Sequence, residues 1–352
     1  MRQRISRRKL VAFRTLAVLI PTLIGAGVVV YLQWFRPVYL DESIPEGFPP
    51  TRHRFVYDEL LGWRNVSGFR SQTFGKPLSI NSLGLRGRES SPTKPPGTSR
   101  ILILGDSYAW GYGVADEEVI SHKLEERLTA TAEVPWEVLN AAVVGWGTDQ
   151  EYLYLRRAGL ELDPDVVVLA LFLLNDPINN VTSGSTNWYK PVFRNSDLKD
   201  LEFFPCPKPN RGAPTVWTGV DPIEMTVALL NLTAQVCREH GCTLVVMKFG
   251  GYLKTDPTIP WLPAPRPYGD IELEFQRQFL PHVSEEERLY YVDLDREFLE
   301  RGLDESQVQS QQTSHWTPLG HQVAAEVLYE LLESEDIVRT RTAPAPSHGG
   351  VY

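Results

Sequence analysis

This 352-residue sequence predicts a three-layer α/β/α sandwich around a doubly wound, mainly parallel sheet. Three observations point there. From Arg100 to Leu332, short apolar runs alternate with amphipathic segments. The run Val166–Leu174 is apolar throughout, as a central parallel strand covered on both faces must be. Lastly, Ile101–Leu104 stops at Gly105-Asp106-Ser107 and gives way to an amphipathic segment, the pattern of a strand that turns tightly into a helix.

Ahead of that domain the chain begins with Arg2, Arg4, Arg7, Arg8, Lys9 and Arg14 and no acid in residues 1–15. Leu16–Trp34 carries no charge and has about the ~20 residues a helix needs to cross a bilayer. Positive charge before the span and Asp41, Glu42 and Glu46 after it place the N-terminus in the cytoplasm. Tyr31, Trp34 and Tyr39 suit the outer interface. A cleaved signal peptide, with Ala26 as its small-residue site, is the rival reading, but its apolar region usually spans only ~7–15 residues. The expectation is a cytoplasmic segment 1–15, a transmembrane anchor 16–35 in the cell inner or plasma membrane, and everything after about Arg36 on the extracytoplasmic, periplasmic side.

Residues 36–98 read as an N-terminal extension packing on the main domain. "YDELLGWRNVSG" and "INSLGLRGRE" look like short strands and turns, and "SPTKPPGTS" is a Pro-rich joint. The domain proper spans 99–335. Its strand candidates are Ile101–Leu104, Trp136–Asn140, Val166–Leu174, Thr243–Phe249 and Leu289–Asp293. Its helix candidates are Glu117–Ala130, Asp149–Ala158, Ile223–Glu239, Ile271–Phe279 and Pro318–Leu332. Two insertions, about 176–220 and 250–270, are long for simple connections and are expected to form loops over the site. The Pro/Ser/Gly-rich tail 336–352 reads as disordered.

Formal net charge is −9, and the basic start carries six positive side chains, so the remainder is more acidic still. Such a body lacks the field that displaces counterions from phosphates, which excludes a nucleic-acid partner. Cys206, Cys237 and Cys242 are too few for a disulfide scaffold and lack metal-ligand spacing with histidine. They read as ordinary core or surface cysteines, with one bridge open to them in an oxidising compartment. No Asp/His cluster has metal-ligand spacing, so neither a metal nor another cofactor is expected.

Four residues at predicted strand ends carry candidate chemistry. Ser107 would stand at the C-terminal edge of the sheet, where ligands bind in open α/β folds. A serine hydroxyl there needs a base and donors for the oxyanion that forms on attack. Gly145, in "NAAVVGWGTDQ", can present its backbone N–H to the same rim. Asn175, in "LFLLNDPINN", can add an amide donor. His315, in "SHWTPLGH", sits in a loop from which it can reach Ser107, whereas His321 points elsewhere and reads as structural. Each also has an ordinary reading: a helix cap for Ser107, a turn glycine, a turn-capping Asn, a core His.

Together, in this order, these residues resemble the SGNH/GDSL hydrolase family over roughly Arg100 to Leu332. "NSLGLRG" looks like a membrane-anchored bacterial subgroup of it. The resemblance implies a flavodoxin-like sandwich and cleavage or transfer of acyl esters through an acyl-serine. It assigns the nucleophile to Ser107, the oxyanion hole to Ser107, Gly145 and Asn175, and the base to His315.

One position departs from the family. An Asp usually stands three residues before the histidine, and some polysaccharide O-acetyltransferases have one two residues before; here those positions hold Gln312 and Thr313. The chain is then a Ser–His dyad oriented by Gln312 or a backbone carbonyl, a triad completed by Asp293 or Asp304, or a member without catalysis. The expected function is hydrolysis of O-acyl, chiefly O-acetyl, esters of extracytoplasmic glycans. The alternatives are an O-acyltransferase, a lysophospholipase or thioesterase acting on lipid, and a non-catalytic glycan-binding protein. Trp110, Trp146, Trp188, Trp217, Trp261 and Trp316, in or near loops, are candidates to stack on sugar faces or, alternatively, to pack in the core.

Overall fold

The computed structural model describes residues 54–184, 188–204, 214–250, 258–259 and 266–338. The expected anchor 16–35, the segment 1–15, Cys206, Trp261 and the tail from 339 lie outside the described residues. No described helix is long and apolar enough to cross a membrane.

Five strands form the central sheet: β1 (Ser99–Gly105), β2 (Trp136–Asn140), β3 (Val166–Phe172), β4 (Thr243–Phe249) and β5 (Leu289–Asp293). All neighbours are parallel, in the order β2-β1-β3-β4-β5, the flavodoxin-like doubly wound arrangement. Alternation along the strands separates two cores. Ile101, Ile103, Val168 and Met247 face one layer, where α2 (Ile120–Thr131) and α9 (Pro318–Ser334) cover them with Leu124, Leu128 and Leu328. Leu102, Leu104, Leu169 and Val246 face the other, under α5 (Pro222–Glu239) and α6 (Tyr268–Phe279) with Leu230, Phe275 and Phe279. Shorter helices sit at the strand ends: α1 (Ser107–Trp110), α3 (Thr148–Tyr154), α4 (Asp176–Asn180), α7 (Leu294–Glu300) and α8 (Glu305–Val308).

Several boundaries differ from the sequence reading. The helix expected over Glu117–Ala130 is broken at Val119, whose ψ is 146°. The residues before it form a 3₁₀ turn, because Glu118 turns back to accept from the Ala115 N–H and Asp116 accepts from the Ser79 N–H. The helix expected over Asp149–Ala158 passes into a π turn at Leu155–Gly159. The third strand ends at Phe172 rather than Leu174, because the chain turns there: the Asn175 N–H donates to the Phe172 carbonyl. Order also runs past 335, since Ile337 and Val338 both donate to the Leu332 carbonyl and Val338 is buried.

The extension forms two hairpins, Phe55–Asp58 with Gly62–Asn65 and Arg70–Thr73 with Lys76–Ser79. It then meets the edge strand β2 through an antiparallel bridge between Arg86 and Asn140. The described part of the 176–220 insertion joins it in a third cluster, where Val181, Trp188 and Phe193 pack with Phe55, Leu61, Trp63 and Trp146. Trp110, Trp146, Trp188 and Trp316 are thus buried packing residues, not exposed sugar platforms. Cys237 and Cys242 are free and buried, and the Cys242 thiol donates to the Cys237 carbonyl at 3.3 Å.

Arg100, fully buried at the start of β1, fastens the Pro-rich joint to the sheet. It donates to Glu137 on β2 and to the carbonyls of Ser91, Pro92 and Leu162. Removing one partner of a buried ion pair leaves the other's desolvation uncompensated. Arg100→Leu should therefore lower unfolding stability by about 3–5 kcal/mol in urea titration.

Candidate active site

Strand β1 delivers Ser107 through a turn that only glycine fits. A Cβ on Gly105 would stand 2.8 Å from the Ala109 Cβ and 3.1 Å from the Ala170 Cβ. Asp106 then caps α1, its Oδ1 accepting from the Tyr108 N–H at 2.9 Å. Ser107 is thereby the first residue of α1, where backbone N–H groups have no partner within the helix. Its side chain opens on the sheet's C-terminal rim.

His315 meets it there. Its Nε2 lies 2.7 Å from Ser107 Oγ, and its Nδ1 lies 2.5 Å from the Thr313 carbonyl. A carbonyl can only accept, so Nδ1 carries the proton and Nε2 accepts from the serine hydroxyl. The imidazole lies between the rings of Tyr108 and Tyr112, with centroids 4.7 and 4.8 Å away. Burial pushes its pKa down, opposed in part by the Thr313 carbonyl.

The carboxylates considered as orienting groups are engaged elsewhere, which corrects that expectation. Asp293 caps α7 and pairs with Lys248; Asp304 caps α8, accepting from the Ser306 N–H. Gln312 is exposed, and its backbone N–H donates to Ser310 Oγ. The backbone carbonyl of Thr313 takes the place of all three.

Gly145 and Asn175 stand on loops anchored at the same rim. The Val143 N–H donates to the Gly105 carbonyl at 3.0 Å, so the Gly145 loop leaves β2 beside the turn that carries Ser107. Gly145 has a φ of 78°, a backbone conformation that favours glycine. Trp63 of the extension props this loop, donating its indole N–H to the Val144 carbonyl at 2.9 Å. Asn175 follows β3 and donates its Nδ2 to Asp106 Oδ2 at 3.3 Å, which fixes the amide nitrogen on the Ser107 side of the loop. His321, by contrast, is fully buried in α9 and accepts from the Ile120 N–H, with its pKa pushed down to about 3 by burial.

Sequence reasoning missed the acidic floor behind Ser107. Asp106, Asp149, Glu151 and Asp176 are all fully buried. Asp149 is paired with Lys190, while neither carboxyl oxygen of Glu151 has a partner among the described residues. Burial raises the pKa of Asp106 to about 7 and those of Glu151 and Asp176 well above the usual range. The one available signal was the run of polar residues at 148–151, which helical spacing alone does not mark as buried. Tyr108 and Gln309 were missed too, and both touch the turn that carries His315.

Among the described residues, one carboxylate trio, Glu272, Asp293 and Asp295, is close enough to share a cation. Lys248 Nζ already contacts all three, which makes this a structural ion-pair cluster.

A family profile described as GDSL-like lipase/acylhydrolase matches residues 103–323, more than half of the chain. A search of curated proteins returned no match. Similar solved structures include the lipase/acylhydrolase from Enterococcus faecalis, at 13% identity over 70% of this chain and 100% of that one, with a TM-score of 0.43. Two others are the psychrotrophic esterase EstA from Pseudoalteromonas sp. and the acetylxylan esterase Axe2 from Geobacillus stearothermophilus. They show 17% and 14% identity, each over 67% of this chain, covering 97% and 94% of theirs, with TM-scores of 0.40 and 0.41.

The raised pKa of Glu151 has a consequence for stability. A carboxyl whose folded pKa exceeds its unfolded value stabilises at low pH, and that contribution is lost as pH rises between the two values. Glu151→Gln removes this linkage while keeping the shape. Its melting temperature relative to the parent should rise steadily from pH 5 to pH 8, measured by calorimetry at each pH.

Proposed function

The chain belongs to the GDSL-like lipase/acylhydrolase family and is an ester-bond hydrolase, and we propose that it cleaves O-acyl esters through an acyl-serine intermediate. The observation that carries this reading is the 2.7 Å contact between His315 Nε2 and Ser107 Oγ, with the far ring nitrogen held by the Thr313 carbonyl. That contact favours the enzyme over a glycan-binding protein that merely keeps the fold.

Ser107 Oγ attacks the acyl carbonyl as His315 Nε2 takes its proton. The oxygen of the tetrahedral intermediate is held by the N–H groups of Ser107 and Gly145 and by Asn175 Nδ2. The intermediate collapses, the C–O bond to the alcohol breaks, and His315 returns the proton to the leaving oxygen. Water then attacks the acyl-serine, with His315 again as base, releasing the acid and free Ser107. An acceptor hydroxyl in place of water makes the second step an acyl transfer.

We assign the substrate to short O-acyl, chiefly O-acetyl, esters of hydroxylated molecules such as glycans. A cavity of about 510 Å³ adjoins the His315 turn. Phe172 and Leu174 offer it an apolar wall, Ser306, Ser310 and Gln311 offer hydroxyl and amide groups, and the Glu305 carboxylate at its edge disfavours an anionic substrate. This lining supports a neutral, hydroxylated substrate. With the apolar segment Leu16–Trp34 as an anchor, the reaction would take place outside the cytoplasm at the membrane surface.

A fluorophosphonate should label Ser107 in the parent and leave Ser107→Ala unlabelled. Hydrolysis of p-nitrophenyl acetate should fall by about 10³-fold or more in Ser107→Ala and in His315→Ala. Ser107→Ala turning over at the parent's rate would remove the nucleophile.

His315 must be neutral to act as base, and burial lowers its pKa. Activity therefore rises with pH, and the acid limb of kcat/KM should inflect below the ordinary imidazole value of about 6.5.

A further inference from the structure

We propose that Tyr108 and Gln309 are positioning residues for the base: together they hold the turn that makes the Thr313 carbonyl, rather than a carboxylate, orient His315. The inference rests on the Ser107–His315 reading above and concerns what keeps that pair aligned.

The turn is unusual in one respect. Ser314, between Thr313 and His315, has a φ of 57°, a left-handed conformation that a non-glycine residue adopts only when its surroundings hold it there. This reversal lets the ring nitrogen of His315 fold back onto the carbonyl two residues earlier. Relaxed into an ordinary extended or right-handed conformation, Ser314 would carry the Thr313 carbonyl away from the imidazole.

Two donors hold the reversal. Tyr108 Oη donates to the Ser314 carbonyl at 2.5 Å, and Gln309 Nε2 donates to the same oxygen at 2.9 Å. Gln309 Nε2 also donates to Tyr108 Oη at 3.0 Å, which makes the phenol oxygen an acceptor on one side and a donor on the other. The Ser314 carbonyl is thereby fixed from two elements: α1, which also carries Ser107, and the loop after α8. The Tyr108 ring does a second task, packing on the imidazole at 4.7 Å and on Trp316 at 5.4 Å. The residue that follows the nucleophile thus measures the position of the base.

An aspartate would orient the ring by one charged hydrogen bond. Here a neutral carbonyl gives the same tautomer, and its direction depends on the turn rather than on a side-chain rotamer. Loss of the clamp should appear in the chemical step, because misplacing a catalytic group by about 1 Å can cost on the order of a hundredfold.

The test uses the full-length chain and Tyr108→Phe, which keeps the ring and removes only the hydroxyl. Three quantities are read: kcat and KM for p-nitrophenyl acetate, the rate of fluorophosphonate labelling, and the proton NMR signal of the His315 Nδ1–H after ¹⁵N-histidine labelling. The proposal expects kcat and labelling to fall together by about tenfold to a hundredfold with KM changed less than about twofold. It also expects the downfield Nδ1–H signal of the parent to vanish or move upfield.

A signal unmoved in Tyr108→Phe overturns the proposal whatever the rate, and so does a parental kcat with the signal lost. Gln309→Leu, which removes the second donor without touching the core, is the companion if Tyr108→Phe fails to fold, and the same outcomes apply. A parent that takes no fluorophosphonate refutes the acyl-serine reading instead, while the NMR comparison still decides the clamp.

Discussion

Ser107 and His315 are 208 residues apart in the chain, and the hydrogen bond between them is the contact on which the site depends. One such bond contributes only about 1 kcal/mol net, far too little to draw two loops together. The scaffold must therefore hold both ends beforehand. The parallel sheet does so for Ser107 by ending β1 at a turn packed against Ala170 on β3. The His315 loop is closed on itself: the Ser310 N–H donates to the His315 carbonyl and the Thr317 N–H to that of Val308. Thr317 then caps α9, so the loop leads straight into a long helix with one face buried against the sheet.

The choice of a carbonyl over a carboxylate fits the surroundings. The floor behind Ser107 already buries four acidic side chains, and among the described residues only Asp149 is matched by a cation, Lys190. Burial holds the others toward their neutral forms. The Thr313 carbonyl fixes the tautomer without placing one more negative charge in this region. Under the proposed mechanism it would stabilise a His315 imidazolium less than a carboxylate does.

Legibility in the sequence followed the physics of each feature. The inner strands could be read because burial on both faces leaves short continuous apolar runs such as Val166–Phe172, while the edge strands Trp136–Asn140 and Leu289–Asp293 are only partly apolar and were placed by the alternation around them. Ser107, Gly145, Asn175 and His315 could be placed because each ends a strand or precedes a helix cap. The short helices α1, α4, α7 and α8 carry too few turns to show a period. A backbone carbonyl was among the orienting groups the sequence allowed, but not which one: a carbonyl has no residue identity, and Thr313 could as well have been another residue in the same conformation. Tyr108 and Gln309 escaped because their contact joins positions 201 residues apart. The buried acids escaped for a different reason: charge in a sequence normally marks solvent, and only the packed structure shows where it does not.

The N-terminal extension, expected to pack on the main domain, does so at the loop that carries Gly145. Trp63 supports the Val144 carbonyl, and Asn65 takes the indole N–H of Trp110 while donating to the Ala142 carbonyl. The matched family region opens at residue 103, inside β1 and some forty residues past these contacts. A fragment cut to the family's borders would keep Ser107, Asn175 and His315, yet discard the wedge beneath the Gly145 loop together with the first half of β1 and Arg100. Recombinant work trimmed to the matched region would study a chain stripped of these supports.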